Sequence, residues 1–96
     1  MYEIIYSDES KEDLLEITTY FILEYSKEIG EKILDKIIFN ISKLEIFPYR
    51  IVKSSKIFGA RELKIPKFSY KVYVKIEEDL KIIKILRILH TSKKFP

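Results

Sequence analysis

The chain has 96 residues, 47% of them hydrophobic, and a formal net charge of +3 at pH 7. That length supports one small domain over residues 1–96, which buries roughly 60–70% of its unfolded surface. With no cysteine and one histidine, disulfide frameworks, thiolate metal sites and zinc sites built from imidazoles are excluded, and no metal or cofactor is expected.

The opening MYEIIYSDESKEDL has no basic segment ahead of an apolar run, so no signal peptide is expected. No stretch approaches 18 apolar residues, so no membrane span is expected and the expected location is cytoplasmic. The net charge hides an asymmetry. Residues 1–48 hold five Lys and eleven Asp/Glu, a net −6, whereas residues 49–96 hold thirteen Lys/Arg and four Asp/Glu, a net +9. A basic half suggests an anionic partner. The eighteen Ile, and fifteen Lys against three Arg, also fit an AT-rich coding sequence that writes Lys at any surface charge.

In chain order, YEIIY (2–6) is short and β-prone and reads as a first strand. Ser7 or Asp8 then offers a helix N-cap, with Glu9, Glu12 and Asp13 in the first turn, where the helix dipole favours acids. Leu14, Ile17, Phe21 and Tyr25 recur at spacings of three and four, flanked by Leu15 and Ile22, which predicts an amphipathic helix over roughly 8–25. Ser26 caps a second helix whose apolar stripe is Ile33, Ile37, Ile41 and Leu44, with Leu34 and Ile38. Pro48 should end it near Phe47. The two helices make an antiparallel hairpin with most of the acids on its solvent face.

The second half changes period. RELKI (61–65) alternates apolar and charged residues. SYKVYVKI (69–76) alternates cleanly, with Tyr70, Val72, Val74 and Ile76 on one face and Ser69, Lys71, Tyr73 and Lys75 on the other. EED (77–79) is a turn into LKIIKILRIL (80–89), which reads as an interior strand, apolar on both faces. The expected fold is α+β, in the order β-α-α-β-β-β: an N-terminal strand, then a helical hairpin packed on one face of a small, mostly antiparallel sheet. The opposite sheet face, carrying Lys71, Tyr73 and Lys75, reads as a docking surface.

Five segments occur in order: DLLEITTYFILEYS (13–26), LEIFP (44–48), FGARE (58–62), YKVYVKI (70–76) and KILRILHTSKKF (84–95). Together they resemble the RelE/ParE superfamily of toxins from type II toxin–antitoxin modules. The resemblance covers nearly the whole chain and implies the same helical hairpin on an antiparallel sheet. It also implies growth inhibition, a role in plasmid stabilisation, a cognate antitoxin and a toxin–antitoxin hetero-oligomer. The target follows the subfamily: DNA gyrase for ParE-type members, and mRNA on the ribosome, cut by a metal-independent endoribonuclease, for RelE-type members. A third possibility is a degenerate, non-toxic relative that only binds the antitoxin.

Were the chain a nuclease, cations would neutralise the scissile phosphate and other groups would move the proton. The resemblance then points to Arg61, Arg87 and His90 as catalytic residues, with Lys64 and Lys71 as further cations and Glu62 as a second proton-transfer candidate. The YoeB-related nucleases end in R-x-H-Y. Here the pattern is R-x-x-H-T, no tyrosine follows Tyr73, and Arg87 and His90 point to opposite faces of a regular strand. The pattern Arg87–His90–Lys93 resembles ParE-type members, with Lys where most have Arg. Lys64, Lys71, Tyr73, Lys75, Arg87 and Lys93 are the expected contacts to target or antitoxin. Each has a plainer reading. Arg87 closes the buried strand by pairing with the acidic helices, His90 bonds backbone and fixes the tail, and Arg61 and Glu62 anchor the turn at Gly59.

Overall fold

The computed structural model describes residues 1–92. The chain runs β1 (Glu3–Tyr6), α1 (Asp8–Glu24), α2 (Lys27–Ser42), two 3₁₀ turns at Lys43–Glu45 and Pro48–Arg50, β2 (Val52–Lys53), β3 (Arg61–Lys64), β4 (Tyr70–Glu77) and β5 (Ile82–His90). The strands form one five-stranded sheet in the order β1-β5-β4-β3-β2. Only β1 and β5 run parallel; the other pairs are antiparallel. The expected α+β architecture is present, with one more strand, the two-residue β2, than the sequence suggests.

Local chemistry sets the helix ends. The Ser7 hydroxyl accepts the Ser10 N–H and starts α1; the Ser26 hydroxyl accepts the Ile29 N–H and starts α2. The α-helical pattern stops at Ser42, five residues short of the expected Phe47, and tightens into a 3₁₀ turn. The backbone leaves helical space at Phe47 (φ −128°, ψ 69°), the residue before Pro48, where the proline ring disfavours the helical conformation. The stripe Ile33, Ile37, Ile41 and Leu44 is almost fully buried, each side chain contributing roughly 1.5–3 kcal/mol of burial energy. It meets Leu63, Val72, Val74, Ile83, Ile85 and Ile88 on the sheet. The α1 stripe is shorter than expected: Ile17 is buried and Leu14 and Phe21 pack at the margin, but Tyr25 is 66% exposed. Gly30 lets the helices close up. A Cβ there would lie 2.5 Å from Ile22 Cγ1 and 3.1 Å from the Thr18 carbonyl oxygen.

The β4–β5 register places Tyr73 opposite Arg87 and Val74 opposite Ile85, so Leu86 is an extra residue in β5. This bulge changes which side chains share a face. Ile83 and Ile85 precede it on the core side, and Ile88 follows it on that same side. β5 lies between β1 and β4, the interior position expected.

Candidate functional site

Register assigns the residues of the sheet face turned away from the helices. One row is Val52–Glu62–Tyr73–Arg87, the next Lys64–Lys71–Leu89, and a third Lys75–Lys84 with Ile5 of β1. Two of the directly opposed pairs, Lys64–Lys71 and Lys75–Lys84, put like charges side by side, which destabilises an isolated sheet. Lys64, Lys75 and Lys84 are exposed and Lys71 is half-buried. Lys71 reaches the Glu62 carboxylate at 3.7 Å. That leaves a face whose middle rows are basic, with Glu62 set among them and Glu77 and Glu3 in the row beyond Lys75–Lys84.

Tyr73 departs from expectation. Sequence alternation puts it on this face as an exposed contact, yet it is only 4% exposed. It stands between the long side chains of Glu62 and Arg87 in its row. Burial, and then the Glu62 carboxylate to which its hydroxyl hydrogen-bonds, push the Tyr73 phenol above its ordinary value.

Arg87 is clamped. Its Nε donates to Asp13 Oδ2 at 2.8 Å and its Nη2 to Asp13 Oδ1 at 2.9 Å. The Ile88 N–H donates to Asp13 Oδ2 at 2.9 Å. β1 pairs with β5 only as far as Ile85, so beyond that point Asp13 of α1 takes over the edge of β5. The hydrogen bond to Asp13 raises the guanidinium pKa further, so Arg87 is always charged. The sequence places Asp13 among the acids of the first helical turn; in the structure the first-turn acids are Asp8 and Glu9, and Asp13 is 6% exposed and binds a strand residue 74 positions away.

Arg61 and His90 have other partners. Arg61 shares its row with Val74 and Ile85, donates from Nη1 to the Ile51 carbonyl at 2.8 Å, and lies 5.0 Å from the centre of the Tyr49 ring. His90 shares its row with Tyr70. It meets the Tyr70 ring edge-on at 5.3 Å, and its Nδ1 accepts the Ser92 N–H at 3.2 Å. The three residues named as catalytic candidates therefore stand in three different rows with three separate sets of partners; they are not brought together. Lys93 lies outside the described residues. Among the described residues, no group of three or more His, Cys, Asp or Glu converges as metal ligands, and no helix is long and apolar enough to cross a membrane.

Sequence reasoning missed a second cluster at the β4–β5 turn. Glu78 accepts the hydroxyls of Tyr2 at 2.7 Å and Tyr49 at 2.6 Å, and pairs with Lys81. Those three bonds, led by the one from Lys81, hold the Glu78 carboxyl down at about 2. The cluster ties the N-terminus, the second 3₁₀ turn and the hairpin together. Its members lie far apart in sequence, and no local pattern announces it.

A capped helical hairpin on a mixed sheet, with basic rows on its outer face and an arginine clamped near the end of the last strand, defines a small α+β domain. The family model described as ParE toxin of type II toxin–antitoxin system, parDE, matches residues 4–95. The chain belongs to that family, and so is the toxin of a type II toxin–antitoxin system within the RelE/ParE superfamily. No curated protein sequence matches it significantly. Among solved structures it is similar to a chain of the chromosomal ParDE toxin–antitoxin system from P. aeruginosa, at 19% identity and TM-score 0.86, covering 96% of this chain and 98% of that one. It is similar to a chain of the RelBE2 toxin–antitoxin complex from Mycobacterium tuberculosis, at 18% identity and TM-score 0.65, covering 93% and 96%. It also resembles the isolated E. coli RelE toxin, at 8% identity and TM-score 0.70, covering 98% and 88%. These identities speak to the fold.

Proposed function

We propose that this toxin arrests growth by poisoning DNA gyrase, as ParE-type members do, and that a cognate antitoxin silences it by covering the basic sheet face in the cytoplasm. The observation that carries the antitoxin half is the pair of facing lysine couples, Lys64–Lys71 and Lys75–Lys84. Like charges set opposite one another cost stability in the free chain, and an acidic segment laid across them removes that cost. Such segments typically order on binding. The solved relatives from P. aeruginosa and M. tuberculosis are described as a toxin–antitoxin system and a toxin–antitoxin complex, which supports a protein partner of this kind and a hetero-oligomeric assembly.

The gyrase half is supported by the ParE match over residues 4–95, by the spacing Arg87–His90–Lys93, and by the lack of any tyrosine after Tyr73. The scatter of Arg61, Arg87 and His90 also weighs against the RelE-type endoribonuclease reading. A gyrase cleavage assay tests the proposal. The purified chain should accumulate linear, protein-linked plasmid with gyrase and ATP, and addition of the antitoxin should abolish it. Intact plasmid together with messages cut within codons after induction would favour the ribonuclease instead. Retained antitoxin binding with no toxicity of either kind would identify a degenerate relative.

A further inference from the structure

A cleft between α1 and the end of β5 consists of two adjoining concavities, about 190 and 410 Å³, which share Tyr20, Tyr70 and His90. Residues of α1 line both, so the cleft lies on the helix side of the sheet, where Tyr70 and His90 stand opposite each other on β4 and β5. The smaller concavity is the acidic end. Asp13 and Glu16 line it, and no lysine or arginine among the described residues does. Lys67 lines only the larger one.

The two acids differ in state. Asp13 is fully engaged by Arg87 and the Ile88 N–H. Glu16 is exposed, belongs to none of the ion pairs among the described residues, and acts on Arg87 only through space. It stands one helical turn before Tyr20, so its carboxylate and the Tyr20 ring project side by side from α1. Tyr20 is 53% exposed and is braced by Phe21, whose ring it meets edge-on at 5.2 Å. Phe21 in turn meets Tyr70 edge-on at 6.4 Å. Burial, and then the Tyr20 phenol, push the Tyr70 phenol above its ordinary value, which places the two hydroxyl-bearing rings in one cleft. A braced ring half open to solvent beside an uncommitted carboxylate suits a flat cation: the ring face attracts its charge and the carboxylate pairs with it. A phosphate meets the wrong sign here, and a metal ion meets too few ligands.

We infer that this cleft receives an arginine side chain of the antitoxin, its guanidinium laid on Tyr20 and paired with Glu16. Arginine fits better than lysine, because its plane stacks on a ring while its fork reaches a carboxylate. The antitoxin is the source because the cleft continues the face it covers. Leu89 ends the row Lys64–Lys71–Leu89 and also lines the acidic end of the cleft. A segment that sets acids on the lysine rows and an arginine beyond Leu89 is fixed in direction as well as in place. The inference rests on the reading that the antitoxin lies on the sheet face, and is independent of the gyrase reading.

The test is calorimetry of the full chain with its cognate antitoxin. Tyr20→Leu should weaken binding about ten-fold, and Tyr20→Phe, which keeps a ring, should stay within about two-fold of the parent. Glu16→Gln should weaken it about three-fold, less at high salt. Both side chains are exposed, so helicity by circular dichroism should not change. Replacing the antitoxin's arginines by glutamine one at a time should find one in whose absence Tyr20→Leu has no further effect. Unchanged affinity in Tyr20→Leu and Glu16→Gln, or the lack of any arginine coupled to Tyr20, overturns the inference. Lys75→Gln and Lys84→Gln keep its failure apart from that of the sheet-face reading. If these two weaken binding while the Tyr20 and Glu16 variants do not, the arginine site is wrong and the sheet-face reading stands. The reverse pattern upholds the arginine site and removes the antitoxin from the lysine rows.

Discussion

Removing the Asp13 carboxylate should unlatch α1 from β5, and the size of the effect follows from the three bonds it accepts. Asp13→Ala leaves the Ile88 N–H, in a residue only 1% exposed, without its acceptor. A buried donor left unpaired costs about 1–3 kcal/mol. The two guanidinium bonds add less, because the Arg87 side chain is 40% exposed and water replaces part of what is lost; about 1 kcal/mol is a fair share. The total is about 2–4 kcal/mol. For a domain of this size that lowers the Tm by roughly 8–30 °C. Asp13→Asn keeps one carbonyl oxygen for Ile88 and should cost about half as much. Urea unfolding of the isolated chain, followed by circular dichroism, measures each variant. A double-mutant cycle with Arg87→Met should return a coupling of about 1 kcal/mol. Additive effects, within about 0.3 kcal/mol, would refute the claim that the carboxylate positions the arginine.

Gly30→Ala gains helix propensity but drives a methyl to 2.5 Å from Ile22 Cγ1; net destabilisation of about 1–3 kcal/mol is expected by urea titration. Lys84→Glu puts an acid opposite Lys75, which should stabilise the free chain by roughly 0.2–1 kcal/mol while weakening antitoxin affinity in calorimetry. The Glu78 carboxyl is depressed to about 2 in the folded chain, against an ordinary value of 4.5. Its stabilising contribution is therefore complete above pH 4.5 and is lost as pH falls toward 2. Glu78→Gln should flatten the dependence of Tm on pH across that window, and an unchanged slope would show that the tyrosine–glutamate cluster is not held in solution.

Much of the fold is written locally. Ser7 and Ser26 announce the two helices, Ile33, Ile37, Ile41 and Leu44 mark the core face of α2, and the alternation through Tyr70–Ile76 marks β4. What was not legible depends on contacts between distant segments. The two residues of β2 carry no periodicity and become a strand only by pairing with Arg61 and Glu62. The bulge at Leu86 is a property of two strands rather than one. Tyr73 follows the strand alternation, but its cross-strand neighbours decide that it is covered. Asp13 did leave a trace. It lies four residues before Ile17 and three after Ser10, on the buried stripe of α1, and a carboxylate there requires a cationic or backbone partner. The sequence marks its partner, Arg87, as a strand-end charge closing on the acidic helices, but not as the ligand of that one acid.

This toxin is proposed to arrest growth and to be restrained by an acidic antitoxin. The most direct measurement is the growth of a host culture after strong induction of the gene, alone and together with its cognate antitoxin. The account predicts arrest in the first culture and normal growth in the second, with a DNA-damage response in the arrested cells. Uninterrupted growth with the toxin chain demonstrably expressed, folded and alone would contradict it.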